Sequence, residues 1–317
     1  MKIYRDPAEI TDGRLGRAVT IGAFDGVHLG HQAVLRLVRE LARARELSAT
    51  VLTFDRHPAE VVRPGSAPKL LTTLEQKLEL LEATGDVDEC LVLTFDATRS
   101  KEPAEQFVEE LLASALRSRL VVVGADFHFG YRRHGDVPLL QLMGAELGFE
   151  TIGLGLVAAH DRDAGVPYSS TRIRELIAAG DVAAAAAMLG RPHEVRGPVE
   201  RGDARGRELG FPTANVSVAE GICLPADGVY AGSFTGADGV ARPAALSVGR
   251  RPTFYADAGL CLLEAYVLDF DGDLYGQESR VRFHHHLRGQ ERFDEIDDLI
   301  AQMHADVAQV RELGAAE

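Results

Sequence analysis

The chain has 317 residues, enough for two domains, and its 46% apolar and 26% charged content is that of a globular protein with full cores. Acidic residues outnumber basic ones 48 to 34, and the net charge of −14 excludes a general attraction for nucleic acid. No run approaches the roughly 20 apolar residues of a bilayer span, and Cys90, Cys223 and Cys261 lie too far apart for a disulfide framework or a CxxC metal pair.

The start, Met1 to Asp6, has no leader pattern, so a cytoplasmic protein without membrane or nucleic-acid partners is expected. From residue 17 to about 157, short apolar runs alternate with amphipathic stretches. Strands are predicted at 18–21, 50–54, 90–95, 120–123 and 151–157, and helices at 32–46, 74–83, 104–116 and 139–147. Leu74, Leu78 and Leu81, for example, recur at the spacing of one helix face. This alternation predicts an α/β domain with a parallel sheet covered on both sides, whose ligands sit at the carboxyl ends of the strands.

A further helix is predicted from Ser170 to about Ala179, and the alanines at 183–187 suit a short packed helix. Gly190-Arg191-Pro192-His193 then breaks the chain, and β-type segments dominate downstream, giving expected domains 1–187 and 188–317. Segments 229–234 and 244–248 flank a Gly/Asp-rich turn, as do 262–270 and 279–286. An amphipathic helix is predicted at 293–313. The second half therefore reads as a small antiparallel barrel with one covering helix.

Gly22-Ala23-Phe24-Asp25-Gly26-Val27-His28-Leu29-Gly30-His31 follows the first strand and opens the first helix. Two histidines three apart stand where free N–H groups and the helix dipole favour anions, and glycine lets the backbone approach a phosphate. That pattern points to charge stabilisation on a triphosphate rather than to a protein nucleophile. Ser169-Ser170-Thr171-Arg172-Ile173-Arg174 opens a later helix; its hydroxyls suit ordinary caps, while Arg174 adds a group that capping does not need. Val123 to Gly130 follows another strand, and its aromatics either stack on a planar ligand or pack under the loop.

No P-loop or protein-kinase motif occurs. Yet Gly202 to Asn215 holds three glycines, two arginines, Thr213 and Asn215, a composition suited to gripping phosphates and meeting Mg²⁺. Glu264 interrupts an apolar strand pattern and either faces solvent or acts as a general base. In His284-His285-His286, strand alternation puts only His284 and His286 on one face, which favours a structural reading over a metal site.

Taken together, these segments resemble the prokaryotic bifunctional riboflavin kinase/FMN adenylyltransferase family over nearly the whole chain. GxFDGVHxGH, VGxxFxFG and SSTRIR are similar to its adenylyltransferase half. GDARGRELGFPTAN, PADGVYAG, VGRRPTF, LEAYVLDFDGDLYG and the LR…RF run are similar to its kinase half. The resemblance implies a nucleotidylyltransferase-type, Rossmann-like domain followed by a riboflavin kinase-like barrel and terminal helix. It implies riboflavin, FMN and ATP as small-molecule substrates, Mg²⁺ as cofactor, and a monomer or weak homo-oligomer.

The resemblance also implies roles. His28, His31, Asp126 and Arg174 would act in AMP transfer, with Gly22, Phe24, Gly30, Phe129, Ser170 and Thr171 around the nucleotide and flavin. Glu264 would be the base for the ribityl hydroxyl, Thr213 and Asn215 would meet Mg²⁺, and Gly202, Arg205, Gly206, Arg207, Gly210 and Pro212 would shape the kinase's nucleotide loop. Ala23, Asp126 and Ser247 stand where the family often has Asn, and Arg56 where Pro is common. Two other readings stay open: a nucleotidylyltransferase for another phosphorylated metabolite, and a non-catalytic flavin-binding protein.

Overall fold

The computed structural model describes residues 1–11, 16–155, 167–201, 209–250 and 261–314. They fall into two compact units, Met1–Ser169 and Ser170–Glu317, so the helices after Ser170 group with the barrel.

The first unit is a six-stranded parallel sheet, made of β1 (Lys2–Tyr4), β2 (Arg17–Ile21), β3 (Ser48–Phe54), β4 (Glu89–Leu93), β5 (Ser118–Gly124) and β6 (Glu150–Leu154). Its order is β1-β4-β3-β2-β5-β6. All five residues of β2 and of β4 are buried, the signature of parallel strands covered on both faces. Their charged members are paired: the Arg17 guanidinium donates to Glu89 (2.6 Å) and to the Leu116 carbonyl (3.1 Å).

Four helices cross the sheet: α1 (Leu29–Ala44), α3 (Leu74–Ala83), a short α4 (Ala104–Gln106) that widens into π-helical turns at Phe107–Ala115, and α5 (Val137–Leu147). α2 (Pro58–Val62) is a short additional turn of helix. α3 starts with a capping box between Thr73 and Gln76. Phe107, Val108, Leu111, Leu112 and Leu140 fill the core on one face, while Leu35, Val51, Leu78 and Leu81 pack on the other. Chain order reverses between β2 and its neighbour β5, and such a switch point opens a crevice at the strands' carboxyl ends.

The second unit opens with α6 (Ser170–Ala178) and α7 (Val182–Leu189). A closed barrel follows, built from β7 (His193–Glu200), β8 (Ala214–Val216), β9 (Gly228–Thr235), β10 (Ala241–Arg250), β11 (Cys261–Val267) and β12 (Glu278–Arg288) in the order β10-β11-β8-β7-β12-β9. Val195, Phe234, Leu246, Leu263, Val281 and Phe283 fill it. α8 (Ile296–Gly314) lies on the outer wall, with Val307, Val310 and Leu313 against Ala231, Ala245, Tyr266 and Leu268.

The α/β sheet, the barrel and the terminal helix are as expected, with local differences. β1 and α2 are additional; three and five residues are too short to show a period. β4 ends at Leu93 and β6 at Leu154, and the expected strand residues 156–157 lie outside the described residues. The expected alternation of the three histidines fails because register shifts interrupt β12 at Phe283/His285 and again at His286/Arg288. One extra residue in a strand re-aims the side chains beyond it. Consecutive His284 and His285 therefore share one shallow cavity, while the His286 ring meets Tyr230 at 5.0 Å.

Candidate active sites

The loop from Gly22 to Val27 leaves β2 at the switch point. Phe24, Gly26 and Val27 all hold positive φ (49°, 81° and 39°), strain that must be met by local contacts. Asp25 supplies some: its buried carboxylate accepts from the amides of Leu71 (3.0 Å) and Thr72 (3.2 Å) and from the Thr72 hydroxyl (3.3 Å).

His28 caps α1. Its Nδ1 accepts from the backbone N–H of His31 at 3.3 Å, so the neutral ring carries its proton on Nε2. His31 stacks on it with ring centroids 3.6 Å apart and has Phe24 on its other side at 5.1 Å. Burial, and then the neighbouring His28 and Lys77, push His31 well below the ordinary imidazole value; its Nδ1 is buried with no hydrogen-bond partner. Gly30 is required by packing, since a Cβ there would stand 2.9 Å from Tyr168 Cβ and 3.1 Å from the His28 ring.

Beside this loop lies a cavity of about 610 Å³, bordered by Gly22 and Ala23 after β2 and by Phe127 and Phe129 after β5. Phe54 at the end of β3 and Phe95 after β4 complete an aromatic wall. Its rim is basic: Arg63, Arg132 and Arg133 line it, beside His57, whose Nδ1 accepts from the Ala59 N–H. Arg132 and Arg133 are held at positive φ (55° and 61°) in the turn after Gly130, where a Cβ on that glycine would strike Ala104 at 2.7 Å. An apolar slot with a basic mouth suits a planar ring bearing a phosphate.

Of the residues anticipated here, Gly22 and Phe129 line the cavity, and His28, Gly30 and His31 form the helix start beside it. Phe24 is buried beneath His31. Asp126 is exposed on the turn after β5, and its carbonyl accepts from His128 Nδ1 at 2.7 Å. Ser170, Thr171 and Arg174 open α6 in the second unit. Phe54, Phe95, His57 and the two strained arginines were missed; for the two phenylalanines, the available signal was their place at the carboxyl ends of predicted strands.

In the barrel, strand register gathers the second set. Asn215 on β8 pairs with Glu264 on β11, which pairs with Ser247 on β10. Their neighbours Ala214, Leu263, Ala265, Leu246 and Val248 are buried inside, so this polar row faces outward. Residues paired across antiparallel strands stand about 4.5–5.5 Å apart at Cα, close enough to serve one ligand. The next rung, Tyr266 and Ala245, is the one that α8 covers.

Thr213 immediately precedes β8, next to Pro212 and Phe211. Phe211 is clamped between Tyr266 (5.3 Å) and His304 of α8 (4.9 Å), and Gly210 before it turns at φ 83°. Gln290, which sequence reasoning missed, donates to the Ser247 hydroxyl (3.1 Å) and the Val248 carbonyl (3.0 Å). Gly202, Arg205, Gly206 and Arg207 lie outside the described residues. Among the described residues no cluster of His, Cys, Asp or Glu forms a metal cage. Thr213 and Asn215 supply neutral oxygens beside one carboxylate, a donor set that suits Mg²⁺ already carried by nucleotide phosphates.

A parallel sheet with an anion-binding helix start at its switch point, in one chain with a barrel bearing an outward carboxylate, defines a two-domain nucleotide-dependent transferase. The family model for FAD synthetase matches residues 12–171 and that for riboflavin kinase residues 189–313. The chain is 38% identical over 298 residues to the bifunctional riboflavin kinase/FMN adenylyltransferase of Escherichia coli K12, covering 94% of this chain and 92% of the relative. The protein of the same description from Pseudomonas fluorescens is 38% identical over 316 residues, covering 99% and 98%. A solved Streptococcus pneumoniae structure, described as a macrolide-efflux protein, superposes with a TM-score of 0.84 at 30% identity over 98% of both chains.

The chain belongs to the bifunctional riboflavin kinase/FMN adenylyltransferase family. It phosphorylates riboflavin to FMN with ATP and adenylylates FMN to FAD with release of pyrophosphate.

Proposed function

We propose that residues 1–187 carry AMP transfer and residues 188–317 carry phosphoryl transfer, each at its own site. The observation that carries the first assignment is the position of His28: its Nδ1 caps α1 and so sets the ring at a helix start, where backbone N–H groups favour an anion. His31, whose burial disfavours its charged form, stacks on that ring and adds a second imidazole at the helix start. FMN lies in the aromatic slot with its phosphate at the basic mouth. One phosphate oxygen attacks the α-phosphorus of ATP, the bond from that phosphorus to the bridging oxygen breaks, and pyrophosphate leaves. The nucleophile is already ionised, so no strong protein base is needed. Ser170, Thr171, Arg174 and Asp126 are assigned to the same nucleotide.

In the barrel, Glu264 takes the proton of the ribityl hydroxyl as its oxygen attacks the γ-phosphorus, and ADP leaves. Thr213 and Asn215 would hold Mg²⁺, which would supply charge neutralisation across the phosphates. Gly202, Arg205, Gly206, Arg207, Gly210 and Pro212 are assigned to the loop around them. The protein works in the cytoplasm as a monomer or weak homo-oligomer, independent of nucleic acid.

The test is incubation with riboflavin and Mg²⁺–ATP followed by chromatography of the flavins. Glu264→Gln is expected to stop FMN formation but still convert supplied FMN to FAD. His28→Ala is expected to accumulate FMN. Loss of both steps in either variant would refute the division.

A further inference from the structure

Lys77 is one of only four lysines among 34 Lys and Arg residues, and it lies on α3, outside the motifs of either site. It is 8% exposed. A buried ammonium is costly unless its donors are used, and here they converge on three acceptors. Nζ donates to the Phe54 carbonyl at 2.8 Å, to the Ala23 carbonyl at 3.2 Å and to the Thr53 hydroxyl at 3.2 Å. The Thr53 hydroxyl in turn donates to the same Ala23 carbonyl at 3.2 Å. The carboxylates of Asp25 and Asp55 offset the charge.

These acceptors lie where the first site is assembled. Ala23 begins the loop with three positive-φ residues, and Phe54 ends β3; both line the aromatic slot. Lys77 therefore ties the carboxyl end of β3 to the loop that leads into His28 and His31. A guanidinium presents planar, diverging donors, whereas one tetrahedral ammonium meets three acceptors on a common centre. In a chain that uses arginine for most of its cations, that geometry explains the lysine.

We propose that Lys77 is a positioning residue for adenylyl transfer, fixing the strained loop between Gly22 and Val27 so that the histidine pair and the flavin slot keep their mutual geometry. This rests on the assignment of AMP transfer to the first unit. Lys77 touches neither substrate; it acts through the Ala23 and Phe54 carbonyls.

The test uses the full chain and assays the two reactions separately, the kinase step reporting on the second unit of the same preparation. Lys77→Met is expected to lower kcat for FMN to FAD by about 100-fold, the scale of a misplacement near 1 Å, with riboflavin phosphorylation unchanged. Lys77→Arg, which keeps charge and donors, is expected to recover at least part of that loss. Thr53→Val, which removes one of the ties while keeping the shape, is expected to cost about tenfold on the same scale. It also serves if Lys77→Met fails to fold.

Leu112→Ala, in the core on the opposite face, controls for stability. At a matched drop in melting temperature it is expected to keep kcat within about threefold, since packing loss there leaves the loop's ties in place. Wild-type turnover in both Lys77→Met and Thr53→Val would overturn the proposal, as would an equal loss in Leu112→Ala. If His28→Ala still makes FAD at the wild-type rate, the assignment of the site fails first, and that outcome is distinguishable from failure of Lys77 alone.

Discussion

His31 shows how a single buried ring links stability to acidity. The unfolded imidazole takes up its proton near 6.5, while burial, with His28 and Lys77 close by, delays that uptake in the folded chain to a lower pH. Below 6.5 the unfolded state therefore binds more protons, and stability falls as pH falls; above it this contribution is fully present. The first unit's unfolding midpoint in urea should drop on acidification from pH 7.5 to 5.5, and His31→Asn should lose part of that slope. At Glu264 the effect is on rate alone. Glu264→Gln should lower kinase kcat by about 10²–10⁴-fold, the usual contribution of a general base, measured as FMN formed from riboflavin. The candidate groups stood out in the sequence because glycines, paired histidines and a carboxylate in an apolar strand are unusual at their positions. Lys77 and Gln290 did not, because a polar residue on a helix or in a loop looks ordinary until its acceptors, 23 and 42 residues away, are folded against it.

At the scale of elements, α8 does more than cover the barrel. Arg288 at the end of β12 donates to both oxygens of Asp306 (3.0 and 2.8 Å), a carboxylate only 7% exposed that also accepts from Gln302. The same helix presses His304 on Phe211, just ahead of Thr213. Asp306→Ala should cost about 3 kcal/mol, the low end for breaking a buried pair, because Arg288 keeps some solvent. It should also weaken the kinase by loosening Thr213, seen as a raised KM for ATP with FMN adenylylation unaffected. The amphipathic pattern announced α8 itself. Its partner on β12 was hidden, because the register shifts in that strand depend on which neighbour it pairs with, and a single strand's sequence does not encode that. Short β1 and α2 were likewise invisible: β1 is held by pairing with β4, and α2, though capped locally by His57 and Glu60, is too short to show a period.

For the whole molecule, each compact unit has its own core, and the proposed assignment gives each reaction its own site within one chain. Mixing equal amounts of Glu264→Gln and His28→Ala chains should restore conversion of riboflavin to FAD, with FMN appearing as a transient in a chromatographic time course. A mixture that stalls at FMN would show that the intermediate must be handed over within one chain. The two-domain plan was readable from the change in sequence character alone, since strand–helix alternation and turn-punctuated strands demand different architectures.

The groups proposed to react lie on the barrel's outer wall, while its interior is filled mainly by apolar side chains such as Leu246, Leu263, Val281 and Phe283. Cohesion and chemistry thus occupy opposite sides of the same strands. Interior side chains can therefore be exchanged for others of equal bulk while the outward row of Asn215, Glu264 and Ser247 keeps its residues.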